Sequence, residues 1–308
     1  MIIFTYNKFY YNSNSMNIID CFMYFDEDMI LDIRLNILDK YVSRFVICEA
    51  NFNHNGTKRE LCFNINNFPK FRDKIIYIPL DNQPANLRSI KQEDNILVKN
   101  SKILDNALLR ENFQRNFLQS KLKQFDENDL IIISDLDEIP NLKNFKYKTR
   151  ITFFEQKMFY YKFNLLHSNF VWYGSKICKK KHLINPQWLR NIKAKKYPFW
   201  RFDIFFSKTK YNNISFEKDG GWHFTNVKTP EKIDFKMKNF LHHLEYEESG
   251  LGIEDVKKII SEKRVFYDHS ADKRQKKWNA NSKLLKVDYK YLPEYISLNK
   301  DKFKDWLD

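Results

Sequence analysis

Glycine, proline and cysteine are scarce in this chain, and their scarcity restricts how it can be organised. Six glycines and eight prolines occur in 308 residues, which is too few for a long flexible linker. The four cysteines, Cys21, Cys48, Cys62 and Cys178, include no CxxC pair and mostly lie in apolar stretches, as buried reduced thiols do. We therefore expect neither a zinc site nor a disulfide framework.

Long apolar runs are also missing. No segment approaches the roughly 18 to 20 uninterrupted apolar residues of a membrane-spanning helix. Residues 1–15 lack the continuous apolar core of a signal peptide. We expect a cytoplasmic protein, with residues 1–15 a disordered extension or a mis-chosen start, because Met16 directly precedes the first convincing strand.

Acidic residues are the minority charge. Lys and Arg number 53 against 39 Asp and Glu, which gives a net charge of +14. Such an excess suits a nucleic acid, an acidic membrane face or a phosphorylated small molecule, although a lysine-rich codon bias explains it equally well. The segment 176–196 contains no acid and allows peripheral contact with an anionic membrane. Nucleic acid is not expected, because no helix-turn-helix, RNP or zinc pattern occurs.

Strands alternate with helices in the first half of the chain. Hydrophobic residues make up 43% of the sequence, enough for a sizeable core. The alternation predicts an α/β fold with a mostly parallel central sheet flanked by helices, whose ligand crevice lies beyond the carboxyl ends of the strands. The predicted strands are NIIDCFMYF, RFVICEA, DKIIYIPLD and LIIIS, and the predicted helices are DEDMILDIRLNILDKY and residues 101–123.

Three carboxylates follow the last of these strands in SDLDEIP: Asp135, Asp137 and Glu138. In an extended segment the two aspartates point the same way. At about 4 Å apart they would repel by roughly 4 kcal/mol at an effective dielectric near 20, and a divalent cation removes this cost. Hard oxygen ligands favour Mg²⁺ or Mn²⁺ bridging to substrate phosphates.

Two other interpretations of this motif stay open. The acids can simply cap a helix or line a solvated loop. Haloacid dehalogenase phosphatases also place DxD after an apolar strand, with the first Asp as nucleophile. They usually carry it near the amino terminus with Thr or Val two places after the second Asp, whereas this motif lies mid-chain with Ile139 in that place.

Besides SDLDEIP, five other segments are distinctive: IIDCFMYFDEDMILDIRLN, RENFQRN, GGWHFTNV, FLHHLEYE and LPEYISLNKDKFKDWL. With them, nearly everything after residue 15 resembles glycosyltransferase family 17, whose best-known members are β-1,4-mannosyl-glycoprotein β-1,4-N-acetylglucosaminyltransferases. The resemblance implies a GT-A type Rossmann-like nucleotide-sugar fold. It also implies metal-dependent, inverting transfer of a sugar, with N-acetylglucosamine from UDP-N-acetylglucosamine as the leading expectation, and it leaves the glycan acceptor open.

The resemblance also suggests a domain organisation. Residues 16–255 are expected to form one GT-A domain, with a donor half over about 16–140 and an aromatic-rich acceptor half over about 141–255. Residues 256–308 are expected to form a helical segment packed on that domain.

Candidate site residues follow from residue type and position. Arginines suit a diphosphate through bidentate contacts, paired glycines let the backbone approach a ligand, and tryptophan offers a face for sugar stacking. The predicted metal ligands for Mn²⁺ or Mg²⁺ are Asp135, Asp137 and His223. The predicted catalytic residues are Asp137, Glu138 and Glu245, with Glu245 a candidate base. The predicted donor-binding residues are Glu49, Lys58, Arg110, Arg115 and Asp135, and the predicted acceptor-binding residues are Trp172, Trp222 and His243.

Each assignment has an ordinary structural alternative. A lone histidine is more often structural than a ligand, and charges on a helix are usually solvated. Three functional classes therefore remain: a sugar transferase, a phosphohydrolase, and a nonenzymatic basic protein that binds nucleic acid or a membrane surface.

Overall fold

The computed structural model describes residues 16–198, 200–267, 278 and 282–308. The predicted amino-terminal extension, residues 1–15, lies outside the described residues. The strands are β1 (Ile18–Tyr24), β2 (Arg44–Ala50), β3 (Ile75–Leu80), β4 (Leu130–Ile133), β5 (Glu138–Pro140), β6 (Ile151–Tyr160), β7 (Leu165–Trp172), β8 (Lys176–Lys179), β9 (Ile214–Thr225) and β10 (Leu285–Lys286). The α-helices are α1 (Asp28–Leu38), α2 (Ile96–Phe117), α3 (Pro186–Asn191), α4 (Pro230–Asn239), α5 (His243–Ser249), α6 (Ile253–Ser261) and α7 (Glu294–Leu298).

The strands of the described residues form one mixed sheet in the order β10-β7-β6-β8-β4-β1-β2-β3, with β9 beside β6 and β5 beside β9. β1 pairs in parallel with both β2 and β4, and β2 with β3. Beyond β4 the sheet continues with antiparallel pairs through β8, β6 and β7. The predicted α/β fold, with a central sheet flanked by helices, is confirmed. The sheet is mixed rather than purely parallel, and β6 and β9 also pair in parallel. Between β6 and β8 the connections are too short for the helical crossovers that parallel strands require.

Both faces of the sheet are covered, because successive side chains of a strand point to opposite sides. On β1, Phe22 joins a core with α1 and α7, whereas Cys21 joins a second core beneath the end of α2. α7 packs on α1, where the Tyr295 hydroxyl donates to Asp32 Oδ2 at 2.9 Å. Among the described helices, none combines the length and apolarity needed to cross a bilayer.

Candidate active site

A cavity of about 330 Å³ opens at the carboxyl ends of β1, β2 and β4. This volume lies within the range of small-molecule sites, and the position is the one that parallel strands favour for ligands. Its wall is completed by β9 and α4. The lining includes Tyr24, Phe25, Glu27, Phe52, His54, Glu111, Gln114, Asp135, Asp137, Glu138, Trp172, Arg190, His223, Lys236 and His242.

The acidic segment is a turn rather than a continuation of the strand, because β4 ends at Ile133 and β5 begins at Glu138. A buried arginine of α1 holds this turn. Arg34 Nη1 donates to the carbonyl oxygens of Asp135 at 3.1 Å and Glu138 at 2.8 Å, and to that of Leu136 at 3.1 Å. The turn is therefore fixed through its backbone, which leaves its carboxylates available for other contacts.

Asp135 is held by two arginines. Its Oδ1 lies 3.0 Å from Arg115 Nη2, and its Oδ2 lies 2.7 Å from Arg190 Nη2. Burial opposes ionisation of Asp135, but Arg190 and Arg115 together keep its pKa well below the usual range. Asp135 lines the cavity as a permanently charged carboxylate already paired with protein cations.

Glu138 is fully buried and braces the same turn. Its Oε2 accepts from the Asp135 backbone N–H at 2.8 Å, and its Oε1 accepts from Trp172 Nε1 at 2.5 Å. Arg190 also pairs with it at 2.6 Å. Glu138, predicted as a catalytic residue, therefore holds the Asp135 backbone, Trp172 and Arg190 in position. Trp172, predicted to bind the acceptor, lies on the cavity wall.

Asp137 has looser contacts than Asp135. Its Oδ1 lies 3.6 Å from His223 Nε2, and its Oδ2 lies 4.0 Å from Lys236 Nζ, both longer than hydrogen bonds. Burial raises the pKa of Asp137, but His223 and Lys236 outweigh it and the net pKa is lowered. Asp137 is therefore an ionised carboxylate with room for a further ligand.

The predicted ligand set fits a divalent cation only in part. The described residues contain no group of three or more His, Cys, Asp or Glu side chains placed to hold a metal ion, and two arginines engage Asp135. However, Mg²⁺ at nucleotide sites often takes one or two carboxylates and completes its shell with phosphates and water. Asp137 fits this arrangement, beside His223, whose buried Nδ1 lacks a hydrogen-bond partner among the described residues.

Two cavity cations were not among the predicted site residues. Arg190 lies in the basic run that the sequence identifies only as a surface, and nothing in its local pattern indicates burial. Lys236 Nζ lies 3.6 Å from Glu27 Oε1. Burial lowers the pKa of Lys236, but the nearby charges of Glu27 and Asp137 outweigh burial and the net pKa is raised. Its position three residues after buried Ile233, on the same helix face, is a signal that could have been used.

The other predicted donor residues have different positions. Glu49 is fully buried beneath the segment that follows β2 and does not line the cavity. It accepts from the backbone N–H groups of Cys62 at 2.7 Å and Phe63 at 3.0 Å, and pairs with Arg59 at 3.0 Å. Lys58 is exposed outside the cavity. The Glu49 carboxylate therefore has a structural role.

The predicted arginines of α2 lie behind the cavity lining. Arg110 donates to Gln83 Oε1 at 2.7 Å and to the His54 carbonyl at 3.2 Å, which supports the loop after β2. Arg115 is buried and reaches the site through Asp135. Within the described part of the chain, Arg115 contacts the acidic turn, whereas Arg110 contacts Gln83 and His54.

Strand geometry separates Trp222 from His223. Consecutive residues of β9 face opposite sides, so His223 faces the cavity while Trp222 Nε1 donates to the Tyr291 carbonyl at 2.7 Å on the far side. The preceding glycines accommodate a register shift between β6 and β9. A Cβ on Gly221 would lie 2.1 Å from the Ile139 carbonyl oxygen, so close strand packing rather than a ligand requires glycine there.

His243 and Glu245, predicted to bind the acceptor and to act as the base, do not line the cavity. His243 is buried, with Nδ1 2.9 Å from the Phe240 carbonyl oxygen. Its neighbour His242 lines the cavity instead. Glu245 is not part of the lining, but its Oε1 lies 2.9 Å from His242 Nδ1. The pair places an imidazole at the cavity with a carboxylate behind it.

The sequence matches the family model described as Glycosyltransferase family 17 over residues 6–307. Over 119 residues it is 31% identical to proteins named beta-1,4-mannosyl-glycoprotein 4-beta-N-acetylglucosaminyltransferase from Homo sapiens and from Rattus norvegicus. These alignments cover 36% of this chain and 19% of each relative. The chain thus spans about a fifth of the length of the curated relatives it matches. Since the family model extends over nearly the whole sequence, the chain belongs to glycosyltransferase family 17.

Proposed function

We propose that this glycosyltransferase moves N-acetylglucosamine from UDP-N-acetylglucosamine to a hydroxyl group of a glycan, with inversion at the anomeric carbon. One observation carries the proposal: an ionised, loosely contacted Asp137 faces a cavity at the carboxyl edge of the parallel strands, next to Lys236. The names of the relatives, which are N-acetylglucosaminyltransferases, support the choice of sugar.

The cavity offers separate surfaces for the parts of the donor. Tyr24 and Phe25 provide an aromatic wall for the nucleobase, and the Arg59 guanidinium lies 4.4 Å from the Phe25 ring centroid. Lys236 and Arg190 supply positive charge toward the diphosphate. When bound, Mn²⁺ or Mg²⁺ held by Asp137 would supply Lewis-acid stabilisation of the departing nucleoside diphosphate.

The base in this proposal is His242, oriented by Glu245, rather than Glu245 itself. With Nδ1 directed toward Glu245, Nε2 is left to accept the acceptor's hydroxyl proton. The acceptor oxygen then bonds to the anomeric carbon while the bond from that carbon to the phosphate oxygen breaks, and the electron pair leaves with UDP. A single displacement of this kind inverts the configuration.

Turnover with a panel of nucleotide sugars tests the donor and the role of Asp137. We expect UDP release and sugar transfer with UDP-N-acetylglucosamine and Mn²⁺, and loss of at least about a hundredfold in kcat for Asp137→Asn. Asp301→Asn changes an exposed acid and serves as the matched control. Wild-type turnover by Asp137→Asn would contradict the proposed role of Asp137.

The base assignment needs a separate comparison. His242→Gln should lower kcat strongly while UDP-N-acetylglucosamine still binds, and Glu245→Gln should lower kcat less, because it removes only the orienting carboxylate. If Glu245→Gln were the more severe change, the carboxylate itself would be the better candidate for the base.

A phosphohydrolase is less compatible with the site. Its first aspartate must attack phosphorus, but Asp135 is engaged by Arg115 and Arg190. Release of phosphate from monoesters at rates comparable to sugar transfer would reverse this preference.

A further inference from the structure

An exposed loop follows α3 and is closed at its base. We define it as the aromatic loop, residues 193–210, of which all but residue 199 are described. The Lys193 backbone N–H donates to the Thr209 carbonyl at 3.0 Å, and Trp188 Nε1 donates to the Lys208 carbonyl at 2.9 Å. A short 3-10 helix, Phe202–Ile204, shapes the tip. The loop therefore projects from the body with both ends fixed.

The tip of this loop carries apolar side chains that face solvent. Phe202 is 74% exposed, Phe205 is 77% exposed and Phe206 is 90% exposed. Single exposed apolar residues are ordinary, but three strongly exposed phenylalanines within five positions concentrate apolar surface on one loop, as interaction surfaces do.

Positive charge surrounds the patch. The aromatic loop has one acid, Asp203, which is bound by Arg201 at 2.6 Å and Lys210 at 2.7 Å. Six basic residues against this one acid give the loop a charge of +5, the basic residues being Lys193, Lys195, Lys196, Arg201, Lys208 and Lys210. The combination of phenylalanine at the tip with lysine at the flanks matches the composition of interfacial membrane anchors.

The chemistry of the loop favours a lipid surface over two other partners. A glycan site combines a stacking ring with polar groups that select hydroxyls, but the three phenylalanines carry no polar group and the one acid of the loop, Asp203, is already engaged. A second copy of this chain that docked through the same loop would bring one +5 loop against another, which like-charge repulsion opposes. An anionic bilayer meets both requirements, because its interior accepts the rings and its phosphates attract the lysines.

We propose that the aromatic loop docks this chain on an anionic lipid bilayer, with Phe202, Phe205 and Phe206 entering the boundary between headgroups and acyl chains while Lys195, Lys196 and Lys208 contact lipid phosphates. This attachment is independent of the catalytic assignments. It would hold the enzyme at a surface, with α3 and its cavity residue Arg190 directly before the docked loop.

Co-sedimentation with vesicles tests the apolar part of the proposal. The full chain should pellet with vesicles of phosphatidylcholine mixed with phosphatidylglycerol, but not with phosphatidylcholine alone. The variant Phe202→Ser/Phe205→Ser/Phe206→Ser should lose at least about tenfold in partitioning, because each ring loses its burial in lipid. The matched control, Ile96→Ser/Leu97→Ser/Leu298→Ser, removes three other exposed apolar side chains and should pellet like the wild type.

A second variant tests the charged part. Lys195→Gln/Lys196→Gln/Lys208→Gln should weaken binding by about fivefold per lysine, and salt should weaken wild-type binding in the same way. Lys58→Gln/Lys123→Gln/Lys290→Gln changes three exposed lysines elsewhere and should have little effect.

Several outcomes would overturn the proposal. It would be wrong if the wild type stayed in solution with both vesicle types or bound both equally. It would also be wrong if the triple serine variant bound as well as the wild type. A shift in sedimentation velocity without vesicles, lost in the triple serine variant, would assign the patch to a second copy instead. Circular dichroism and UDP binding show that each variant is folded.

Discussion

At the scale of single residues, the two aspartates of one short motif have different surroundings. The Asp135 carboxylate lies between Arg115 and Arg190, whereas the Asp137 carboxylate lies at longer distances from His223 and Lys236. The motif alone does not distinguish them, because the difference arises from residues far away in the chain. A change at Asp135 therefore disturbs an ionic network, while in the proposed mechanism a change at Asp137 mainly removes a metal ligand.

Replacing Arg190 tests this network. Arg190→Met leaves Glu138, which is 1% exposed, without its cationic partner. Removing one member of a buried pair is strongly destabilising, and we expect a loss of about 3 kcal/mol in the free energy of unfolding. Arg88→Met breaks a pair of half-exposed side chains and should cost less than about 1 kcal/mol. Urea unfolding measures both, and equal losses would contradict the structural role of Arg190.

Part of the cavity lining is predictable from the sequence. Asp135, Asp137, Glu138, Trp172 and His223 all line the cavity, and the roles assigned to them stay predictions. Trp222 does not line the cavity, because a strand directs Trp222 and its neighbour His223 to opposite faces. Arg34 is not among the predicted site residues, yet it lies in the apolar stripe of α1 between Ile30 and Leu38, where a charged residue indicates a buried partner.

At the scale of elements, the connection between β7 and β8 approaches the acidic turn closely. An added Cβ at Gly174 would lie 2.1 Å from Glu138 Cδ and 2.2 Å from Trp172 Nε1. Gly174→Ala must therefore displace Glu138 or the connection itself, and we expect at least about a tenfold loss of turnover. Gly252→Ala adds the same methyl group 4.0 Å from its nearest neighbour and should keep wild-type turnover. Similar activity in both variants would show that the connection adapts.

Lys176 of β8 anchors the end of α3. Its Nζ donates to the carbonyl oxygens of Ile192, at 2.8 Å, and Arg190. Burial, followed by the nearby Arg190 charge, lowers the pKa of Lys176 to about 7, whereas lysine in an unfolded chain titrates near 10.4. Between these values the unfolded state binds more protons, so this residue makes the free energy of unfolding rise with pH.

The variant Lys176→Met removes that contribution. The gain in the free energy of unfolding between pH 7 and about 8.5 should be smaller in the variant than in the wild type. Urea unfolding at the two pH values measures the difference, and comparison with wild type cancels other titrating groups. An identical gain in both proteins would mean that Lys176 stays charged throughout.

The strands and helices of the first half were predictable because the hydrophobic pattern of each segment matches its burial in the fold. The apolar segments RFVICEA and LIIIS contain β2 and β4, and the helical spacing of Ile30, Ile33 and Ile37 lies in α1. In the second half the agreement fails. β9 runs for 12 residues through two glycines, and its pairing with β6 depends on a bulge that no local pattern specifies.

At the scale of the whole molecule, the carboxyl-terminal segment closes one core. Ile296 is fully buried against the cluster that contains α1, whereas Leu298 of the same helix is 76% exposed. Ile296→Ala should lower the free energy of unfolding by about 2 to 5 kcal/mol, while Leu298→Ala should stay within about 0.5 kcal/mol of wild type. Chemical denaturation checks both, and a small effect at Ile296 would indicate that the segment is not part of the cooperative unit.

The guanidinium of Arg34 has a consequence for redesign. Because it fixes three backbone carbonyls of the acidic turn from within α1, the geometry of that turn is established during folding and does not depend on an incoming molecule. Among the residues that the structure describes, side chains after β2 and in α4 line the cavity without a hydrogen bond to Arg34. Exchanging them to alter the proposed donor preference should therefore leave the backbone of the acidic turn in place.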